Sequence, residues 1–66
     1  MRISDLRERI TLSFGESWGP SFSSDIAISE LDSKSVNEAL TAGFEPDVIW
    51  KAVCKAHPIQ TEKYRN

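Results

Sequence analysis

The fold of this chain is decided by residues 35–54, which read SVNEALTAGFEPDVIWKAVC. Ser35 and Glu38 have the spacing of a capping box. In such a box the serine hydroxyl accepts a hydrogen bond from a backbone N–H, and the glutamate carboxylate accepts one from the serine N–H. The pattern therefore predicts a short third helix over residues 36–42, closed by Gly43.

A fourth helix is predicted from Pro46 to about His57. Proline suits the first position of a helix, and Pro58 cannot continue one. The apolar side chains of this segment cover an arc of about 240° at 100° per residue, which leaves a narrow polar wedge. They are Val48, Ile49, Trp50, Ala52, Val53, Cys54 and Ala56. We expect a helix this apolar to be central to the fold.

A first helix is predicted from about Ser4 to Phe14. Ser4 is a favourable N-cap, Asp5 places negative charge in the first turn, and Gly15 can take the conformation that ends a helix. The spacing of the apolar residues puts four of them on one face. These are Ile3, Leu6, Ile10 and Phe14.

A second helix is predicted from about Pro20 to Leu31, after a turn over residues 15–20. Trp18, Phe22 and Ile26 are four residues apart and continue one helical face. Ser23 and Ser24 are poor residues for a helix interior, and the alternation of Ile26 and Ile28 also suits a short strand. Both interpretations of the second half of this segment stay open.

The sequence as a whole predicts an all-α fold, a compact bundle of three to four short helices whose last two form a helix-turn-helix-like hairpin. At 66 residues the chain has room for a single core. We place one helical domain at residues 1–58. Residues 59–66 hold few apolar side chains and are predicted to be a frayed C-terminal tail.

The single cysteine, Cys54, cannot form an internal disulfide, which suits a reducing compartment such as the cytoplasm. Charged residues interrupt the apolar ones in the first ten positions, so we expect neither a signal sequence nor a membrane span. The formal net charge of −2 is unlike that of a dedicated nucleic-acid binder. The charges are nevertheless segregated, since basic residues predominate after position 48 and acidic residues predominate in the centre.

No arrangement of residues indicates catalysis or a bound cofactor. Cys54 and His57 have a spacing that metal-binding pairs use, but two ligands do not complete a zinc site. A thiol on the apolar arc of a helix is usually inert. The carboxylates do not form the inward-facing pair of a general acid and base. We therefore expect neither enzymatic activity nor a metal or other cofactor.

Two apolar side chains are candidates for a protein interface. Trp18 lies in a predicted turn, and Leu12 lies opposite the apolar stripe of the first helix. Trp50, in contrast, is expected in the core. The favoured function is thus a small adaptor or regulatory module that binds another protein, and a homodimer that buries the apolar surface of each copy is a further alternative.

A second functional hypothesis is DNA binding through the hairpin of the third and fourth helices. A small residue, a glycine turn and later apolar positions are typical of a helix-turn-helix. Glu45 and Asp47 weigh against it, because they lie at the end of the helix that normally meets the bases. The candidate nucleic-acid contacts are Lys51, Lys55, Arg2, Arg7 and Arg9.

Residues 39–54, together with Met1-Arg2 at the start and Phe14-Gly15 after the first helix, resemble a family of short actinobacterial proteins, domain of unknown function 3046. The resemblance covers nearly the whole chain, and its most specific part is residues 50–54 following Gly43 and Pro46. It implies an all-helical fold, a bacterial cytoplasm and genes often found near those of the recombinase and its regulator. It brings no established activity.

Overall fold

A computed structural model describes residues 1–64, which fold as helices joined by short turns. The α-helices are α1 (Ile3–Phe14), α2 (Trp18–Asp25), α3 (Val36–Thr41), α4 (Pro46–Ala56) and α5 (Pro58–Thr61). Two 3-10 turns cover Ser29–Leu31 and Glu62–Tyr64. The all-α prediction is confirmed, but the described residues contain five α-helices instead of three to four. The hairpin of α3 and α4 is consequently not the last pair.

The capping box predicted at the start of α3 is present. The Glu38 N–H donates to Ser35 Oγ at 3.2 Å, and the Ser35 N–H donates to Glu38 Oε1 at 2.9 Å. Hydrogen bonding to the Glu38 carboxylate, first by the Ser35 backbone N–H and then by the Ser35 side chain, holds the pKa of this carboxyl below its usual value. The helix ends at Thr41, one residue before its predicted end, and Gly43 follows with a φ of 95°.

Helix α4 begins at Pro46 as predicted and packs against α1, α3, α5 and the turn at Ser29–Leu31. Its buried side chains are Ile49, Trp50, Ala52 and Val53. The apolar arc is narrower than the sequence suggested, since Val48 is 49% exposed and Ala56 is exposed. Val48 lies outside the sector of about 160° that the four buried residues span, whereas Ala56 lies within that sector but at the last position of the helix. The central position predicted for this helix is confirmed.

Helix α1 buries Leu6 and Ile10 and ends at Phe14, and Gly15 follows with a φ of 90°. Its start differs from the prediction, because Arg2 and not Ser4 precedes the first helical residue. The Arg2 N–H donates to Asp5 Oδ2 at 3.0 Å, so the carboxylate of the first turn caps the helix from inside. Ile3, predicted to join the apolar face, is 52% exposed because it lies one turn beyond the buried residues.

The prediction for the second helix was wrong at both ends. Helix α2 starts at Trp18 and ends at Asp25, and Ile26 and Ile28 have extended backbones. Pro20 is accommodated in the first turn, where a backbone N–H has no helical partner. The chain then makes an isolated bridge between Ile28 and Lys34, which supports the strand-like alternative for this short stretch.

The loop after α2 still places its apolar side chains in the core. The Ile28 N–H donates to the Lys34 carbonyl at 3.0 Å, and the Ser33 N–H donates to the Ile28 carbonyl at 3.1 Å. Asp32 and Ser33 have positive φ angles of 58° and 62°, which close this turn. Ile28 and Leu31 are buried as a result. Both residues fall within the bounds predicted for the second helix, and they reach the core from a loop and a 3-10 turn instead.

The C-terminal segment folds back onto α1. Pro58 begins α5, and Thr61 is fully buried with its hydroxyl donating to the His57 carbonyl at 2.8 Å. Tyr64 packs against the core from the last 3-10 turn. The tail expected to fray therefore carries structure as far as Tyr64, and its fraying in solution stays a prediction. Residues 65–66 of the predicted tail lie outside the described residues.

Candidate protein-interaction surface

Trp18, the first residue of α2, is 47% exposed, as the sequence suggested for a tryptophan at a turn. The next residue explains this exposure. Gly19 packs so tightly on α1 that a Cβ atom there would lie 3.3 Å from Thr11 Cα. Since successive residues of a helix are about 100° apart, Trp18 lies off the side of α2 that meets α1. A large aromatic surface is therefore left in solvent.

Leu12 is 52% exposed on the side of α1 away from its buried residues. It lines a shallow depression of about 330 Å³ between α1 and the C-terminal segment. The residues lining this depression are Asp5, Glu8, Arg9, Leu12, Lys63 and Tyr64. Trp18 is not among them, so this depression does not bring the two candidate interface residues together.

A second depression, of about 430 Å³, adjoins the first and shares Asp5 and Arg9 with it. The guanidinium carbon of Arg9 lies 5.8 Å from the centroid of the Trp50 ring, a cation–π distance. The amino group of Met1 forms an ion pair of 3.3 Å with Asp47 Oδ1. Lys51 completes this mixed-charge surface at the start of α4.

The candidate nucleic-acid contacts do not form one basic patch. Arg9 and Lys51 share a depression with two carboxylates, whereas the Arg7 guanidinium donates to Asn37 Oδ1 at 2.9 Å. Asn37 in turn donates to Ser24 Oγ at 3.1 Å, which fixes Arg7 beside α2 and α3. Lys55 is exposed on α4, and Arg2 is exposed before α1. The five cations are thus spread over several elements.

His57 has a packing contact that the sequence analysis missed. Its ring meets Phe14 and Phe22 edge-on, with centroid distances of 5.6 Å and 5.1 Å, and the two phenyl rings stack at 4.1 Å. Cys54 is partly buried, and residues 1–64 hold no cluster of three or more metal-binding side chains. At the end of α4, the His57 side chain therefore packs against aromatic rings.

The sequence analysis also missed Lys63 and Tyr64, which form one wall of the depression at Leu12. Pro58 was the residue that could have revealed them, because a proline that stops one helix also suits the first position of the next. Other half-exposed or exposed apolar side chains were assigned to the core or left unassigned. They are Met1, Ile3, Val48 and Ile59.

Residues 1–60 match the family described as "Protein of unknown function (DUF3046)". No curated protein matches the chain, and neither does any solved structure. Among residues 1–64, no helix has the length and apolar character that a membrane crossing requires.

Proposed function

We propose that this chain, which belongs to the DUF3046 family of proteins of unknown function, is a non-catalytic module that binds another protein. The observation that carries the proposal is the exposure of Trp18. A domain this small needs most of its large apolar side chains in the core. Leaving about half of a tryptophan in solvent costs stability that an interface would recover, and tryptophan is enriched among the residues that dominate binding energies.

Leu12 is the second residue of the proposed interaction surface. It is an exposed leucine beside a shallow, mixed-charge depression, an arrangement in which an apolar centre is surrounded by polar groups. Protein interfaces commonly have such a centre and rim. The depression at Leu12 does not include Trp18, so each residue is tested with its own variant.

Affinity capture with the folded domain tests the proposal. The immobilised chain is exposed to an extract of its source cells at two salt concentrations, beside Trp18→Ala and Trp18→Phe. We expect a protein that the wild type and Trp18→Phe retain at both salt concentrations and that Trp18→Ala loses, because salt screens ion pairs but does not screen apolar contacts. Capture of the same proteins by Trp18→Ala would contradict the role of Trp18.

DNA binding remains the second candidate, supported by the exposed Lys51 and Lys55 on α4 and by the tight turn at Gly43 that joins α3 to α4. Against it stand the ion pair of Asp47 at the start of α4 and the scattered positions of the arginines. Amide chemical shifts recorded during titration with duplex DNA distinguish the candidates. A helix-turn-helix would give shifts in α4 that vanish as salt rises and that Lys51→Glu weakens.

A bacterial cytoplasmic location is part of the same proposal. It is supported by the single, partly buried cysteine and by the family resemblance of residues 39–54. Fractionation of source cells, followed by detection of the chain with an antibody, tests it. Recovery in the membrane or extracellular fraction would contradict it.

A further inference from the structure

The depression at Leu12 is lined by two carboxylates and two cations. Asp5 and Glu8 supply the negative charges, and Arg9 and Lys63 supply the positive ones. Its walls therefore carry no net charge while holding both signs. A partner of one predominant sign would be attracted by half of such a surface and repelled by the other half.

Two of these four charges already have partners within the domain, and two do not. Asp5 accepts the hydrogen bond from the Arg2 N–H, and Arg9 lies over the Trp50 ring. Glu8 and Lys63 are both exposed, and neither side chain forms a hydrogen bond or ion pair with any other residue from 1 to 64. One unpaired negative charge on α1 thus faces the same depression as one unpaired positive charge on the C-terminal segment.

The apolar part of this face lies beside those charges. Leu12 is one helical turn after Glu8 on the same side of α1, since residues four apart are neighbours on a helix surface. Tyr64 lines the depression next to Lys63 and is only partly buried. The face therefore combines the apolar Leu12 and Tyr64 with one unpaired acidic and one unpaired basic side chain around the same depression.

We infer that this face binds a second copy of the chain about a two-fold axis. In a two-fold interface, each contact between unlike residues occurs twice. Glu8 of each copy then meets Lys63 of the other, while the Leu12 side chains pack near the axis. The chain's own face, turned by 180°, has the matching arrangement of both charges. The inference rests on the proposed function, because that proposal treats Leu12 as a binding residue. It adds that the partner bound at Leu12 is a second copy of the chain.

The face is small, so the expected dimer is weak. Helix α1 has 12 residues and is about 18 Å long. A strip of that length covers less than the roughly 800 Å² per partner that a standard interface buries. We expect a dissociation constant of about 0.1–1 mM, which makes the monomer predominant in dilute solution.

Analytical ultracentrifugation of the full chain between about 10 µM and 1 mM tests the inference across the range where so small an interface would associate. The wild type should shift from monomer to dimer with concentration. Glu8→Lys and Lys63→Glu should each weaken the dimer about tenfold, because each variant places like charges together twice in the interface. Leu12→Ala should weaken it as well, and circular dichroism verifies that each variant is folded.

A mixture of Glu8→Lys with Lys63→Glu gives the sharpest result. At positions 8 and 63 one chain then carries two cations and the other two anions, so the mixture should dimerise at least as well as the wild type, although each variant alone dimerises about tenfold more weakly. Wild-type chain that stays monomeric at 1 mM, or a dimer that neither charge change nor Leu12→Ala weakens, would overturn the inference.

Trp18→Ala serves as the matched control, because Trp18 does not line this depression. It should dimerise like the wild type while losing the captured protein partner. A wild-type chain that stays monomeric but captures a protein that Trp18→Ala does not capture would reject this inference alone. A wild-type chain that dimerises but captures no protein in a Trp18-dependent way would reject only the proposed function.

Discussion

The two tryptophans of this domain lie in contrasting surroundings. Trp50, in the middle of α4, is 3% exposed and has the Arg9 guanidinium over its ring, whereas Trp18, at the start of α2, is 47% exposed. Trp50 is held by a helix that packs against elements from both ends of the chain. Trp18 lies in the first turn of α2, where the close contact with α1 is made by its neighbour Gly19. The same residue type is therefore part of the core in one region and is left half exposed in the other.

This difference reflects how each helix is packed. Helix α4 buries four side chains, and its remaining faces hold Val48, Asp47, Lys51 and Lys55. Helix α2 buries Gly19, Phe22 and Ser23, two of which are small. Small residues let α2 approach α1 closely, but they leave no room for an indole between the helices. Trp18 is thus excluded from the core by the closeness of the contact beside it.

The largest effect is expected for Trp50→Ala. Truncating a buried tryptophan costs about 3–5 kcal/mol. The core of so small a domain rarely supplies more than about 3–5 kcal/mol in total, so the loss is as large as the stability itself. We expect the variant to lose its helical circular dichroism at 25 °C. Trp50→Phe, which retains an aromatic ring, should stay folded with a lower urea midpoint. A Trp50→Ala variant with the urea midpoint of the wild type would show that Trp50 does not stabilise the core.

A smaller effect is expected for Gly19→Ala, which tests the contact that excludes Trp18 from the core. Alanine usually stabilises a helix interior relative to glycine by up to about 1 kcal/mol. Here its Cβ would lie 3.3 Å from the Thr11 backbone, so α1 and α2 must move apart. We expect a net loss of about 1 kcal/mol in the free energy of unfolding, measured with urea. Stabilisation by this change would mean that the helices are loosely packed at Trp18.

The smallest effect is expected for the capping box that starts α3, the helix that packs against α4 and so belongs to the region of Trp50. The pKa of Glu38 is lowered from 4.5 in the folded chain, mainly by the hydrogen bond from the Ser35 N–H. Its contribution to stability is therefore fully present above pH 4.5 and is lost as the pH falls through the lowered pKa. As the pH falls across this range, the free energy of unfolding measured with urea should decrease less for Glu38→Gln than for the wild type.

Ser35→Ala is the matched control for that measurement. It removes the hydroxyl but keeps the backbone N–H, which is the larger cause of the lowered pKa of Glu38. The pH dependence of its unfolding should lie between those of the wild type and Glu38→Gln. Identical pH profiles for all three proteins would contradict the role of the capping box in solution.

The extent to which the fold could be predicted from sequence differs between the same two regions. The start of α3, the turn at Gly43 and the start of α4 at Pro46 were all predicted, because each depends on a local pattern of side chain and backbone. The structure of residues 18–34 was not predicted, because the helix there ends in a loop that no capping or turn signal in the sequence indicated. The hydrogen bonds that Ile28 makes across the loop to Lys34 and Ser33 replace a helical pattern that the apolar spacing alone favoured.

The candidate site follows the same division. Trp18 and Leu12 were identified from sequence, since a tryptophan in a turn and a leucine opposite an apolar stripe are local features. In the structure both side chains are about half exposed. The wall formed by Lys63 and Tyr64 could not be predicted, because it depends on α5 folding back so that Thr61 is buried. The engagement of Arg7 with Asn37, 30 residues away along the chain, is equally non-local.

The central claim is that Trp18 is retained for binding and not for packing. The most direct test measures the free energy of unfolding and the partner capture of Trp18→Ala together. The account predicts a loss of about 1–2 kcal/mol, less than half of that for Trp50→Ala, with capture abolished. A loss as large as that of Trp50→Ala, with capture intact wherever the variant still folds, would show that Trp18 is a core residue and would contradict the account.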